Sequence, residues 1–230
     1  MKTNYFGHDR IFAANKQRGY PGWCPSLEEY RNWQKDIADC LEGGSAPRSG
    51  RLLELGCGAG NMTRWFLDLG FDACGIDISP TAIAWARESA GDGAAAPRFD
   101  IGNVVDLDAY EDDSFDFVFD GHCLHCIIGD DRASMLANVR RVLRPGGYFL
   151  VDTMCKPVDP STLGAEQAAH FEPETGFVVY DGAAVRYIGE AEDILGELDL
   201  AGLQILSHKI RSPGKADPVG TLVVEALNPD

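Results

Sequence analysis

Short apolar runs alternate with amphipathic stretches along most of this 230-residue chain, and their spacing sets the expected fold. Runs that read as buried strands fall at 51–56, 72–77, 97–101, 115–120 and 147–153. Stretches expected to be helical fall between and after them, at 60–70, 79–90, 131–143 and 190–201. Such alternation predicts a parallel sheet with helices on both faces. An earlier helix is expected to include Leu27, Tyr30, Trp33, Ile37 and Leu41, with Ser26 as its cap and Glu29 completing a capping box. Ser79-Pro80 is another helix entrance, because the fixed φ of proline suits the first helical position.

The pattern changes after Thr153. Cys155 to His170 reads as loop or short helix, and then 176–180 and 183–188 flank Asp181-Gly182, a hairpin signal. Leu203 to Ile210 and Gly220 to Ala226 read as a closing antiparallel pair at the sheet edge. Residues 1–25 are mixed, with a Gly19-Tyr20-Pro21-Gly22-Trp23 turn, and 43–50 resembles a linker. The chain shows no internal repeat and no low-complexity segment.

The chemistry concentrates where the first strand runs into Gly56, Gly58 and Gly60. A strand that passes through glycines into a helix lets bare backbone approach a ligand at a helix start. Asp77 ends the second strand, the place where a nucleotide-binding sheet takes hold of ribose hydroxyls. The glycines are spaced G-x-G-x-G, which departs from the dinucleotide G-x-G-x-x-G, and no Lys-Ser/Thr follows them as a phosphate loop requires. A nicotinamide-dependent oxidoreductase is thereby disfavoured.

Glu54, Gly56, Gly58 and Gly60 together form an acid-x-Gly-x-Gly-x-Gly pattern that resembles motif I of the class I S-adenosylmethionine-dependent methyltransferases. The segments 100–116, 114–127 and 140–153 resemble that family's third-strand loop, fourth strand and Pro-Gly-Gly turn with fifth strand. The resemblance implies a Rossmann-like, doubly wound α/β fold: a mostly parallel seven-stranded sheet with an antiparallel edge strand and helices on both faces. It implies S-adenosylmethionine as cofactor. Glu54 would orient the methionine amino end, Gly56 and Gly58 admit the methionine portion and ribose, and Asp77 accept from the ribose hydroxyls. Ile78 would pack on the adenine face, and Asn103 and Val104 would meet its edge. Cys57 in the loop and Asp120 at the end of the fourth strand are assigned to the same cofactor site. One domain is expected: an N-terminal lid and helix at 1–45, a cofactor-binding core at 46–155, a substrate-covering insertion at 156–190, and a closing helix with edge strands at 191–230.

The loop Asp120-Gly121-His122-Cys123-Leu124-His125-Cys126 lies where an open α/β sheet places its ligand crevice. Were it to begin a helix, His122, His125 and Cys126 would share a face. Three readings stay open: His122, with His125, as an acid/base or contact group, since imidazole titrates near neutrality; a soft-metal or metalloid site; or packing, with the cysteines as small apolar fillers. Tyr20 and Trp23 are candidate substrate contacts in a lid, or else staples of the N-terminal helix. Tyr180 and Arg186, with Tyr187, are candidates for the far wall. His170 reads equally well as a solvated loop residue, and the acidic run at 111–113 reads as an exposed turn before the fourth strand with no role in the chemistry.

Composition narrows the partners. The formal net charge of −16 repels phosphate backbones, so nucleic acid is an unexpected substrate. No run reaches the length of a membrane span and no signal peptide is evident, so a cytoplasmic protein is expected. Seven irregularly spaced cysteines do not describe a disulfide framework, and Cys57 and Cys74 read as small buried residues. The expected function is methyl transfer to a small-molecule acceptor by a monomer or homodimer without a metal. Alternatives are a non-catalytic cofactor-binding regulator, a methyltransferase acting on a small protein target, and a synthase using the cofactor for aminopropyl transfer or cyclisation.

Overall fold

Caps, glycines and prolines divide the chain close to where its periodicity predicts. The structure is a computed structural model, and it describes residues 3–91, 93, 96–159, 161, 163, 165–213 and 218–229. It opens with a helix that the mixed composition of residues 1–25 did not announce, α1 at Gly7–Gln17. Helix α2, Leu27–Leu41, starts as expected: the Ser26 hydroxyl accepts from the Glu29 N–H and donates to its carboxylate.

The core then alternates. Strand β1 (Gly50–Leu55) leads to α3 (Asn61–Asp68), β2 (Phe71–Asp77) to α4 (Pro80–Ala90), and β3 (Arg98–Ile101) to β4 (Phe115–Gly121). Ser79 caps α4 by accepting from the Ala82 N–H, with Pro80 at the first helical position. Helix α5 (Asp130–Val142) feeds β5, Leu143–Val158, a strand much longer than the run at 147–153 because pairing to β4 resumes on both sides of the Pro-Gly-Gly segment. A short helix α6 (Ala165–His170) and strands β6 (Phe171–Glu172), β7 (Phe177–Tyr180) and β8 (Ala183–Tyr187) follow, then α7 (Ala191–Leu200), β9 (Gln204–Arg211) and β10 (Val219–Leu227). Between β7 and β8, Asp181 (φ 50°) and Gly182 (φ 74°) both take the positive φ that a tight hairpin turn needs.

The main sheet has the order β3-β2-β1-β4-β5-β10-β9. Strands β1 to β5 are parallel, and β10 runs antiparallel to both β5 and the edge strand β9, which supplies the expected antiparallel pair. Because the chain winds outward from β1 to β3 and then returns to β4, a crevice opens above the carboxyl ends of β1 and β4. Strands β6 to β8 form a separate small sheet.

Side-chain alternation sends neighbouring residues into different cores. Leu53, Val118 and Phe149 pack against Met135 and Val139 of α5 and Ile194 of α7, while Leu52, Phe117 and Tyr148 pack against Ile37 of α2 and Phe66 of α3. Helices therefore cover both faces of the sheet. Phe66 is fully buried and meets the rings of Phe71, Phe117 and Phe119 at centroid distances of 5.9, 5.6 and 5.1 Å. Phe66→Ala is expected to cost about 3–5 kcal/mol in urea unfolding, whereas Leu200→Ala, at an exposed position, should stay within about 0.5 kcal/mol. Equal losses at the two positions would contradict the core assigned to this face.

Candidate active site

The carboxyl ends of β1 and β2 and the turns that follow them build the floor. Gly56 (φ 66°) and Gly58 (φ 53°) hold backbone that disfavours a side chain, and space is short as well. A Cβ on Gly56 would lie 2.9 Å from Cys123, and one on Gly58 2.9 Å from the Phe12 ring. The loop is thus clasped between α1 and the segment after β4. Asp77 ties it to the second turn: Gly58 N–H donates to Oδ2 at 2.9 Å and Ser79 N–H to Oδ1 at 2.8 Å. Glu54 is buried and accepts from the Thr63 hydroxyl of α3. Burial pushes the Glu54 carboxyl up to about 8, and burial also raises Asp77.

The segment after β4 does not begin an α-helix. His122 takes φ 62°, and a single 3-10 turn follows over Leu124–Cys126. Asp120 Oδ1 accepts from the Leu124 N–H at 2.8 Å and so organises this turn from below. Asp120 lies off the cavity lining, with Oδ1 spent on the loop and Oδ2 buried without a hydrogen-bond partner among the described residues. His122 donates its N–H to the Asp152 carbonyl at 2.8 Å, and its Nε2 lies 3.6 Å from Asp152 Oδ1. Asp152, at 0% exposure, also accepts from Trp33 Nε1 at 2.8 Å and from Arg211 Nη2 at 2.9 and 3.0 Å. Arg211 in turn pairs with Asp36. Four elements, α2, β4, β5 and β9, thus converge on one imidazole, whose ring also stands edge-on to Trp33 at 5.4 Å.

His125 is buried, with Nδ1 3.4 Å from the Thr153 hydroxyl and 3.5 Å from the Met154 N–H, and burial pulls its pKa down. Burial would raise Cys126, yet its contacts with His125 and His8 prevail and hold the thiol well below its usual range. His8 shows the complement: burial lowers it, and Cys126 raises it further than that. Among the described residues, no three His, Cys, Asp or Glu side chains are gathered as a metal site.

These groups border a cavity of about 1110 Å³. Glu54, Gly56, Cys57, Gly58, Asp77, Ile78, Asn103 and Val104 all line it, as do His122, His125, Trp23, Tyr180 and Arg186. Asn103 spends one carbonyl lone pair on the Val105 N–H. Tyr20 does not border the cavity; its N–H closes the end of α1 on the Asn15 carbonyl. Tyr187 also lies outside, beneath the Arg132 guanidinium. Trp23 serves both readings: it packs on Phe12 and His8 at the cavity roof, and its N–H donates to the Tyr30 hydroxyl of α2. His170 is no solvated loop residue; its ring stacks on Tyr180 at 3.8 Å and Nδ1–H donates to the Val179 carbonyl.

Several residues escaped the sequence: Tyr5 before α1, His8 and Phe12 of α1, and Trp33, Asp36, Asp152 and Arg211. Asp152 had a signal, because it follows an apolar run and stands level with the carboxyl end of β4 beside the crevice. Arg211 had none, since only sheet register brings it to Asp152.

A family model described as a methyltransferase domain matches residues 53–151. The chain is 31% identical over 170 residues to the probable methyltransferase ltbC of Aspergillus luteorubrus, an alignment that spans 68% of this chain and 59% of that protein. It is 30% identical over 199 residues to the ubiquinone/menaquinone biosynthesis C-methyltransferase UbiE of Vibrio vulnificus, spanning 78% of this chain and 72% of that protein. The crystal structure of an S-adenosylmethionine-dependent methyltransferase from Methanosarcina mazei shares the fold, with a TM-score of 0.67 at 20% identity over 81% of this chain and 96% of that one.

The Glu54 carboxyl leaves a mark on stability. The unfolded chain ionises it near 4.5, whereas the native state holds its proton to about 8. Between those values the native state binds more protons, so this group's contribution to stability falls as pH rises, by up to roughly 1.4 kcal/mol per pH unit. Urea unfolding of Glu54→Gln between pH 5 and 8 should lack that part of the slope. A slope identical to that of the unsubstituted protein would mean that Glu54 is ionised in the fold.

Proposed function

The chain belongs to the class I S-adenosylmethionine-dependent methyltransferases, and from that premise we propose that it methylates a small, largely apolar molecule whose acceptor atom gives up its proton to His122. The observation that carries the small-molecule reading is the roofed cavity. About 1110 Å³ is at the upper end of ligand pockets and suits a cofactor with one acceptor of similar size. Helix α1 and Trp23 close one side and the β7–β8 hairpin the other, in place of an open groove for a polymer. The UbiE relative is named for ubiquinone and menaquinone biosynthesis, which agrees with a small acceptor.

S-adenosylmethionine supplies a sulfonium that makes its methyl group an electrophile. The residues present fit it. Glu54 would face the ammonium of the methionine end, and Gly56, Cys57 and Gly58 would present backbone to the chain between. Asp77 keeps a lone pair on each oxygen beside its two backbone donors, enough for the ribose hydroxyls. Ile78 would cover the adenine face, while Val104 and the second lone pair of the Asn103 carbonyl would meet its edge.

Transfer from a sulfonium is an in-line displacement, so orientation and exclusion of water do most of the work. Asp152 facing Nε2 favours the tautomer protonated there, which leaves His122 Nδ1 to take the acceptor's proton. Trp33 and Arg211 hold the Asp152 carboxylate, and the imidazole with it. His125, buried behind, shapes the wall, and Tyr180 lines the acceptor end.

Calorimetric titration with S-adenosylmethionine, S-adenosylhomocysteine and NADH is the first test. Saturable binding of both adenosyl compounds and none of NADH is expected; failure of both to bind would sink the cofactor assignment. His122→Ala should keep S-adenosylhomocysteine affinity within about twofold while lowering turnover about 10²–10⁴-fold in a screen of phenol, amine and thiol acceptors. Matching losses of thermal stability and turnover would instead make His122 a packing residue.

A further inference from the structure

Arg186 stands out among the charged groups of the cavity. Arg132, Arg141, Arg144 and Arg211 each face a carboxylate no more than 2.9 Å away. Arg186 has no ion pair and no hydrogen bond among the described residues, in a chain where 36 acids outnumber 20 bases. Its Nε is shut off from solvent without a partner. A guanidinium carries five N–H donors in a rigid fork, and a buried donor left unmade is a cost that a fitting acceptor removes.

Its surroundings define what fits. Strand pairing sets Arg186 opposite Val178, and the guanidinium lies 5.9 Å from the centroid of Trp23 on the cavity roof. His8 and His125 sense its charge, and the Cys126 thiol that both imidazoles hold low lines the same cavity. Nearby walls are apolar, from Phe171, Val178 and Ile188. The carboxylates Glu54 and Asp77 occupy the floor, which suits the cationic parts of the cofactor. The cavity therefore combines carboxylates on its floor with a guanidinium that no carboxylate among the described residues pairs.

We propose that Arg186 forms a carboxylate-binding subsite, in which the unpaired guanidinium over Trp23 grips the acid group of a ligand whose body lies against the apolar wall. The inference rests on the cofactor site described above. It deepens that reading by making one end of the bound pair an acid. A carboxylate can come from an aromatic or aliphatic acid serving as acceptor, or from the methionine end of the cofactor.

Calorimetry on Arg186→Gln separates these sources. Charge-assisted, two-pronged pairing predicts a loss of about ten- to a hundredfold in affinity for the ligand that bears the acid. If the acceptor supplies it, the variant loses 4-hydroxybenzoate binding on the S-adenosylhomocysteine-loaded protein and keeps that of 4-hydroxybenzamide. If the cofactor supplies it, S-adenosylhomocysteine weakens while 5′-methylthioadenosine, which lacks the amino-acid end, is unchanged. Arg186→Lys, which keeps the charge and the fold's local bulk but loses the fork, should fall between the two proteins. Unchanged S-adenosylhomocysteine affinity in the variant, together with wild-type protein that holds 4-hydroxybenzoate no tighter than 4-hydroxybenzamide, overturns the subsite and leaves the cofactor assignment standing.

Discussion

Four carboxylates stand around the crevice, Glu54, Asp77 and Asp120 near the carboxyl ends of β1, β2 and β4 and Asp152 within β5 level with the end of β4, and none is more than 7% exposed. Taking a carboxylate out of water is tolerable only if donors replace the water. Each of these therefore recruits a neighbouring segment. Glu54 fixes the start of α3 through Thr63, Asp77 joins the first turn to the second through Gly58 and Ser79, and Asp120 winds the 3-10 turn through Leu124. Asp152 draws in Trp33 from α2 and Arg211 from β9. The loops that carry the site are arranged by the need to satisfy these acids.

The same arrangement sets the electrostatics. Burial raises Glu54, Asp77 and Asp120, a sign that their hydrogen bonds do not fully offset the loss of solvent. A cationic ligand above Glu54 and Asp77 is favoured for the reason that the acids are costly without one. Asp152 has Arg211 at hand as an ion-pair partner and also faces His122 Nε2. That imidazole sits at φ 62°, a conformation rare for a residue with a Cβ, and four packed elements hold it there.

How much of this could be read from the chain follows from the range of each interaction. Ser26 with Glu29, Ser79 with Pro80, and Asp181 with Gly182 are local signals, and each element they mark lies within a residue or two of its expected place. The placement of the glycine loop and Asp77 was legible because it depends on a strand, a turn and a helix in one short stretch. Helix α1 was not, since its apolar positions are few and its supports come from elsewhere: Phe12 packs with Ala59, Ala82 and Trp85. His122 was found but its geometry was not, because strand-to-turn backbone at Gly121 and His122 replaced the expected helical face. Its partners Trp33, Asp152 and Arg211 are 119 and 59 residues apart in sequence, beyond the reach of any spacing rule.

The roof over the site is held differently from its floor. Asp9 of α1 accepts from the Ser79 hydroxyl and the Thr81 N–H, bonds that keep its carboxyl below the usual range, and Tyr5 donates to Asp131 while accepting from the Ile128 N–H. His8 meets Cys126, and Lys16 pairs with Glu88 at the far end. Apart from the small Phe12 cluster these supports are polar and peripheral, whereas the floor rests on two extended cores. Segments with little apolar burial open at lower free energy than the body that carries them. The inner side of the roof presents Phe12 and Trp23 to the cavity. A ligand beneath those rings adds the apolar contact that the rest of the roof lacks, so closure over the site and occupation of the site are favoured by the same surface.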